Sequence, residues 1–467
     1  MRRSSHTPPA IARAIDAPGS LQLMGRLFGT DGIRGVAGTD LTSELARDLG
    51  RAAVAVLGRH GAGRPTFVIG RDTRRSGEWL EESLAEGIRS GGGDAILVGV
   101  EPTPGIAFLT VELGASSGVV ISASHNPPQD NGIKFFSADG MKLPDQLEDE
   151  IEAALGEPLA STVIAGEVRQ ADVGRERYLE HLVASADAPL DGMSVVVDCA
   201  NGSASGFAPQ VLERLGADVH AIFDRPDGDN INVGCGALHP EVVAAEVVRL
   251  GADAGVAHDG DADRALFADA AGNVIDGDQV LAACALAMQA RGSLSGSTVV
   301  TTVMANLGFH RAMRDADIRV IAAKVGDRYV LEEMLRTGTV LGGEQSGHII
   351  FREQATTGDG LLTAVRFLSL AAARGVSIQD LASCMRRFPQ ALVNISVSDP
   401  SRLQEANDVW EAVRSAEEML GDGGRVLVRP SGTEPLVRVM VEAETQEDAV
   451  RLADAIAEAV RSDLAAG

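Results

Sequence analysis

Ser117-Gly-Val-Val-Ile-Ser-Ala-Ser-His-Asn-Pro-Pro-Gln-Asp-Asn-Gly-Ile-Lys-Phe-Phe136 opens as a buried strand and breaks into a polar loop. Val119-Val120-Ile121 has the composition of a strand covered on both faces. Small and polar residues follow: Ser122, Ala123, Ser124, His125 and Asn126. Pro127 and Pro128 end the strand, and Pro127 keeps Asn126 out of helical geometry. Gly132 permits a tight return that brings Lys134 back to the same place. Open α/β sheets keep their sites beyond the carboxyl ends of their strands. Ser124 is therefore expected to be exposed at a strand end, next to an imidazole and near an ammonium.

The flanking sequence repeats the strand–helix alternation. Residues 66–74 and 95–100 read as strands, 76–88 and 103–113 as helices, and Ser76 is placed to cap the first of these. Residues 26–35, rich in glycine, read as a loop carrying Thr30, Asp31 and Arg34. After an acidic helix at 145–155 the alternation restarts at 194–198 and ends in Ala254-Gly-Val-Ala-His-Asp-Gly-Asp-Ala-Asp-Arg264. A third round begins near 298 and ends in Gly342-Gly-Glu-Gln-Ser-Gly-His348. Alternation of this kind predicts mainly parallel, doubly wound sheets. The last segment differs: strands at 392–397, 425–428 and 437–444 with helices at 402–420 and up to 464 predict a small α+β domain. The expected architecture is α/β, with three similar doubly wound domains and a smaller C-terminal α+β domain around a central cleft. The expected boundaries are 24–182, 183–292, 293–390 and 391–467. Residues 1–23 read as a disordered extension, or as sequence upstream of a start at Met24.

A chain of 467 residues predicts about three or four domains. Its net charge of −25 disfavours nonspecific binding to nucleic acid or to an anionic membrane. An anionic ligand must then meet a local positive site or a metal. Lysine is confined to Lys134, Lys142 and Lys324, so a lysine in the central loop is informative. The four cysteines, Cys199, Cys235, Cys284 and Cys384, form no CxxC pair and read as free thiols of a cytoplasmic protein. No apolar run has the length of a membrane span, and residues 1–23 lack the apolar region of a secretory signal.

Three further loops carry chemistry. Asp259, Asp261 and Asp263 alternate with Gly260 and Ala262. In an extended segment they would share one side, which calls for a cation, and hard oxygen ligands suit Mg²⁺ or Ca²⁺. An EF-hand is excluded, because its turn glycine would fall at Arg264 and its glutamate at Ala270. Arg429-Pro-Ser-Gly-Thr433, with Arg438, reads as an anion cradle: Ser431 and Thr433 donate hydroxyls, Gly432 admits backbone N–H groups, and guanidinium matches phosphate. Glu344, Gln345, Ser346 and His348 offer donors and acceptors suited to sugar hydroxyls. A hydroxyl nucleophile, a metal loop, a polyol reader and a phosphate clamp together describe a phosphoryl-transfer site. No Gly-Lys pair occurs, so a kinase of the Walker type is disfavoured.

In their order and wording these loops resemble the α-D-phosphohexomutases, from about Met24 to the C-terminus. The resemblance rests on Phe28-Gly-Thr-Asp-Gly-Ile-Arg-Gly35, Ile121-Ser-Ala-Ser-His-Asn-Pro127, Asp259-Gly-Asp-Ala-Asp-Arg264, Gly343-Glu-Gln-Ser-Gly-His348 and Arg429-Pro-Ser-Gly-Thr-Glu-Pro435. It implies four domains with one loop each at a cleft. It implies a phosphoryl group on Ser124, and one Mg²⁺ held by Asp259, Asp261, Asp263 and an oxygen of phosphorylated Ser124. The implied substrate is a hexosamine phosphate: glucosamine 6-phosphate and glucosamine 1-phosphate exchange through glucosamine 1,6-bisphosphate, feeding UDP-N-acetylglucosamine and the cell wall. Glucose or mannose phosphates are the alternative substrates. His125, Lys134, Arg34, Arg264 and His348 are the implied candidates for proton transfer or charge stabilisation. Glu344, Ser346, His348, Arg429, Ser431, Gly432, Thr433 and Arg438 would bind substrate. A kinase or a bisphosphate would prime Ser124, and a homodimer is compatible with the resemblance. A catalytically dead sugar-phosphate binder and a metal-dependent phosphatase are the competing classes.

Overall fold

The computed structural model describes residues 26–29, 31–60, 63–158, 164–171, 173–431 and 435–464. The expected N-terminal extension lies outside them. The described chain forms two compact units: residues up to Val303 with Ile321–Ala382, and Met304–Val320 with the segment from Ser383 onward.

The first unit contains the central strand. Ser117–Ile121 lies in a six-stranded sheet in the order Ile33–Val36, Asp130–Ser137, Ser117–Ile121, Thr66–Arg71, Asp94–Val100, Val168–Gln170. Its strands alternate sides. Phe67, Ile69, Val119 and Ile121 pack with helices Ser43–His60 and Ser76–Ser90. Val68, Val120 and Phe136 pack with Ile106 and Leu109 of helix Thr103–Glu112. The sheet is thus doubly wound, as the apolar runs predict.

It is mixed, however, where a mainly parallel sheet was expected. Ser117–Ile121 is parallel to Thr66–Arg71 but antiparallel to the returning strand Asp130–Ser137. The same device recurs. Ala254–His258 returns as Ala265–Asp269, and Leu341–Gly343 returns as Ile349–Phe351. Each polar loop is therefore a hairpin tip at the end of a parallel strand. The signal was the apolar run after each loop, such as Ile133-Lys-Phe-Phe136 and Ile349-Ile-Phe351. The glycine-rich segment 26–35 is also not all loop. Ile33–Val36 pairs antiparallel with the 130–133 region and carries Arg34 on a strand.

Ser76 does not cap its helix. The N-cap is Arg75, without a side-chain cap, and Ser76 Oγ instead accepts from Asn131 Nδ2 at 2.8 Å. The two helices on that face touch through glycines. A Cβ on Gly87 would lie 2.0 Å from the carbonyl oxygen of Arg47, and one on Gly50 would lie 2.5 Å from that of Leu84. Alanine has the better helix propensity by about 1 kcal/mol, yet Gly87→Ala is expected to destabilise the chain. Overpacking against backbone costs typically 1–3 kcal/mol, which outweighs that gain, so urea unfolding should show a net loss of up to about 2 kcal/mol. A gain in stability would mean that the helices part freely.

In the second unit, Gln390–Ser396, Leu436–Glu442 and Arg425–Pro430 form an antiparallel three-stranded sheet. Helices Asn407–Leu420 and Gln446–Leu464 supply Val409, Val413, Leu452 and Ile456 to its core. This is the small α+β domain expected. No helix among the described residues is long and apolar enough to cross a membrane.

Candidate active site

Ser124 sits at the tip of the first hairpin with φ +51°, a left-handed conformation rare for a residue with a Cβ. Such a backbone must be held by its surroundings. Arg74, fully buried, does this. Its guanidinium donates to the carbonyl of Ser124 at 2.9 Å, of Asn126 at 2.7 Å and of Asp130 at 2.9 Å, and its Nε pairs with Asp72 at 2.9 Å. Asn232 Nδ2 adds bonds to the carbonyls of Ser124 and Asn126 at 2.9 and 3.1 Å. The expectation of an exposed serine is corrected: Ser124 is only 1% exposed. The second hairpin tip covers it, and Ser124 Oγ donates to Asp259 Oδ2 at 2.7 Å. His125 Nδ1 lies 3.3 Å from the same Oγ. Burial, then the cations Arg264 and Arg34, depress the His125 pKa to about 4, so its ring is neutral near pH 7.

The three aspartates converge, although not by extended alternation. The loop curls: Ala262 N–H donates to the Asp259 carbonyl at 3.1 Å, and Ala262 takes φ +57°. One oxygen of each carboxylate lies within 4.8 Å of the others, and all three residues are buried. The outer oxygens are engaged. Asp259 Oδ2 accepts from Ser124. Asp261 Oδ2 accepts from Thr103 Oγ1 at 2.6 Å and from Lys134 Nζ at 3.2 Å. Asp263 Oδ2 faces His348 Nδ1 at 3.5 Å. The other oxygen of each, Oδ1, is buried without a hydrogen-bond partner among the described residues. Burial, then Asp263 and Asp261, push Asp259 well above the usual carboxylate range. Three converging buried carboxylates, each with one oxygen that no hydrogen bond satisfies among the described residues, fit a hard divalent cation such as Mg²⁺.

Cations close the site. Burial opposes the charge on Lys134, but Asp261 and Asp31 outweigh it and hold the ammonium charged. Arg34 donates to the Ala123 carbonyl and to Asn126 Oδ1, both at 3.4 Å, and pairs with Asp31. Arg264 Nε lies 3.6 Å from Asp263 and 3.9 Å from Asp259, and those carboxylates raise its pKa against the effect of burial. Burial likewise opposes a charge on His348, yet Asp263, Asp327 and Glu344 outweigh it and lift its pKa to about 9. The Gly358 N–H points at His348 Nε2 at 3.2 Å, a contact that needs a bare nitrogen. A second proton and this contact compete for Nε2, so the ring is placed to hold or release a proton there.

The third hairpin tip supplies Glu344 and Ser346. Glu344 Oε1 accepts from Gly326 N–H at 3.1 Å, and burial, opposed by His348, raises its pKa. Ser346 Oγ is buried and has no hydrogen-bond partner among the described residues. Gln345 turns away: its amide donates to Asp276 Oδ2 at 3.4 Å, at the cap of helix Gly277–Ala290. It is not available to a sugar in the way its sequence position suggested.

In the second unit, Arg429 and Arg438 are direct partners across antiparallel strands. Like charges directly opposite are destabilising without a counter-ion, and burial together with Arg438 lowers the Arg429 pKa. Ser431 is tied into the turn by its N–H to the Leu436 carbonyl at 2.8 Å. Gly432 and Thr433 lie outside the described residues, as does Thr30 in the first unit.

Sequence reading missed several residues here: Thr103, Arg74, Asn232, Asp31 as a partner of Lys134, Lys142 and Asp327. Each acts across tens or hundreds of positions, so no local pattern announces it. The exception is Asp72-Thr-Arg74, a charged tip on a buried strand. Cys199 and Cys235 are buried free thiols.

Family models agree in all four segments. They are the phosphoglucomutase/phosphomannomutase α/β/α domains I, II and III, at residues 25–159, 176–272 and 276–388, and the C-terminal domain at 392–459. A phosphoglucosamine mutase of Thermobifida fusca is 53% identical over 445 residues, covering 94% of this chain and 99% of the relative. One of Symbiobacterium thermophilum is 52% identical over 447 residues, covering 94% and 100%. Among solved structures, a phosphoglucomutase/phosphomannomutase family protein of Burkholderia thailandensis superposes with a TM-score of 0.79 at 27% identity, covering 94% of this chain and 97% of that one. The hairpin-tip serine, the converging aspartates and these matches over nearly the whole length lead to one conclusion: the chain belongs to the phosphoglucomutase/phosphomannomutase family, the phosphohexomutases.

Proposed function

We infer that the chain is an isomerase that interconverts glucosamine 6-phosphate and glucosamine 1-phosphate, supplying precursor for UDP-N-acetylglucosamine. The observation that carries the reaction type is the buried contact of Ser124 Oγ with Asp259, beside three unpartnered carboxylate oxygens. The amino-sugar preference draws support from relatives at 52–53% identity over 94% of the chain. Segments 24–182, 183–292, 293–390 and 391–467 would contribute one loop each.

In this reading Ser124 carries a phosphoryl group. O1 of the sugar attacks phosphorus, the bond to Ser124 Oγ breaks, and the O1 proton passes to a nearby base. The resulting 1,6-bisphosphate turns over, Ser124 Oγ takes the 6-phosphoryl group, and O6 regains a proton. Asp259, Asp261, Asp263 and a phosphoryl oxygen on Ser124 would hold Mg²⁺, which would supply charge neutralisation, the main requirement of a loose transition state. Arg264, Arg34 and Lys134 add positive charge at the same place. His348 can hold or release the sugar hydroxyl's proton. Arg429, Arg438, Ser431, Gly432 and Thr433 would clamp the phosphate that is not reacting. Ser124 would be primed by a kinase or by the bisphosphate.

All candidate hexose phosphates share the phosphate, so selection falls to the third loop. Glu344 can accept from a 2-ammonium group, a charge-assisted contact. Glu344→Gln is expected to cut kcat/KM for glucosamine 6-phosphate about ten- to a hundredfold, or about 1.5–3 kcal/mol, and to change glucose 6-phosphate less. The test is kcat/KM for the glucosamine, glucose and mannose 6-phosphates with one phosphorylated preparation. If glucose or mannose 6-phosphate is the best substrate of the unmodified enzyme, the amino-sugar reading fails.

A further inference from the structure

Three half-buried residues outside the proposed machinery, Asp31, Lys142 and Asp327, join its parts. Starting at Asp261, Lys134 Nζ lies 3.2 Å from Asp261 Oδ2 and 2.9 Å from Asp31 Oδ2. Asp31 Oδ1 lies 2.6 Å from Lys142 Nζ, and Lys142 Nζ lies 2.5 Å from Asp327 Oδ2. Asp327 Oδ2 lies 3.9 Å from His348 Nε2, and His348 Nδ1 lies 3.5 Å from Asp263 Oδ2. The charges alternate in sign along the whole path. It begins and ends on two of the three converging aspartates, so a cation there would close it into a ring.

Lys142 is the link with the most to lose. It holds two carboxylates, Asp31 on a turn and Asp327 at the start of helix Asp327–Thr337, that repel each other. Its side chain is 15% exposed, and theirs are 23% and 22%. Without its ammonium, Asp31 would draw Lys134 from Asp261, and Asp327 would draw His348 from Asp263. Both shifts act on groups that face the aspartate cluster, Lys134 on Asp261 and His348 on Asp263. The crossing itself has another anchor. Arg328, next to Asp327, donates to the Leu143 carbonyl at 2.7 Å and pairs with Asp145. Loss of Lys142 therefore unbalances charge without cutting the only tie.

We propose that Lys142 is a positioning residue for the reaction, holding Lys134 and His348 on the two sides of the aspartate cluster through Asp31 and Asp327. The proposal rests on the mutase reading given above. Lys142→Met, nearly isosteric and neutral, is expected to lower kcat about 10–100-fold, the usual effect of losing an outer-shell partner at a metal site. KM for glucosamine 6-phosphate should stay within about threefold, because uniform binding is untouched. Lys142→Arg, which keeps the charge, should lose less than Lys142→Met.

The deciding measurement is the double variant. Asp327→Asn removes one of the two carboxylates that Lys142→Met leaves unbalanced. If charge balance is the cause, Lys142→Met/Asp327→Asn should turn over at least about fivefold faster than Lys142→Met alone, a strong non-additivity. A structural role predicts the opposite, a further loss. The proposal is overturned if Lys142→Met keeps kcat within about threefold of the unmodified enzyme, or if the double variant is no faster than the single. Should Lys142→Met fail to fold, a folded and active double variant supports the charge argument, and an unfolded one overturns it. The unmodified enzyme is the control for the mutase reading: if it turns over no hexose phosphate, that reading fails, whereas this inference fails only through the variants.

Discussion

Ser124→Ala should lose turnover by on the order of 10³-fold or more, the scale seen when a covalent catalyst is removed. The neighbours do not offer a substitute. Ser122 Oγ donates to Asp72 at 2.6 Å and accepts the Ser124 N–H at 2.9 Å, so its hydroxyl is fully committed inside the loop. His125 stays as a ring nitrogen at 3.3 Å from the lost oxygen, and it is the residue to check. The substitution is not free of structural cost. Ser124 is buried, and its loss leaves Asp259 Oδ2 without its 2.7 Å donor. Leaving a buried acceptor unsatisfied costs about 1–3 kcal/mol. The backbone tie from Arg74 and Asn232 is unaffected, so the chain should still fold, with a lowered melting temperature. Intact-mass analysis before and after phosphatase treatment should show a phosphoryl group on the unmodified enzyme and none on Ser124→Ala. Activity above a few per cent, or a retained phosphoryl mass, would move the carrier role to His125.

Removal of divalent cations should also abolish most of the turnover. The carboxylates of Asp259, Asp261 and Asp263 converge within 4.8 Å of one another, each with one buried oxygen that no hydrogen bond satisfies among the described residues, and three such carboxylates repel. In excess EDTA, turnover is expected to fall to about 1% or less, because a metal of this kind supplies several kcal/mol of charge stabilisation. Added Mg²⁺ should restore it. Mg²⁺ should also raise the melting temperature even without substrate, since a ligand that binds only the folded state stabilises it, by about 2.7 kcal/mol at a hundred times Kd. Asp261→Asn keeps the shape and removes a charge. It should weaken Mg²⁺ binding at least about tenfold, more than the loss of an outer-shell partner at the low end of its range. Full activity in EDTA, or a melting temperature indifferent to Mg²⁺, would remove the cation from the mechanism.

Much of this was legible in the chain itself. Apolar period and turn residues are local properties, so the strand at 117–121, the helix that starts at Thr103 and the antiparallel C-terminal strands can be read directly. The hairpin tips announce themselves through composition: an apolar run stops at Ser122, at Asp259 and at Glu344, and polar residues begin. Less legible was the direction of the strand that follows each tip, because pairing partners are chosen by the sheet and not by the strand. The same limit explains Gln345, whose amide is taken by a helix cap 69 positions away.

The sequence by itself determined which chemical groups are present, which loop carries each, and the strands that bring the loops to one end of each sheet, because those follow from short-range pattern. Only the tertiary structure decided which oxygen of each aspartate is engaged and which is left open. It also decided that Ser124 is buried with φ +51° under Arg74, and that Asp31, Lys142 and Asp327 alternate in charge between Lys134 and His348. Those outcomes depend on contacts between residues far apart along the chain. Burial there strengthens each charge interaction and removes water as an alternative partner, so the packing sets the chemistry.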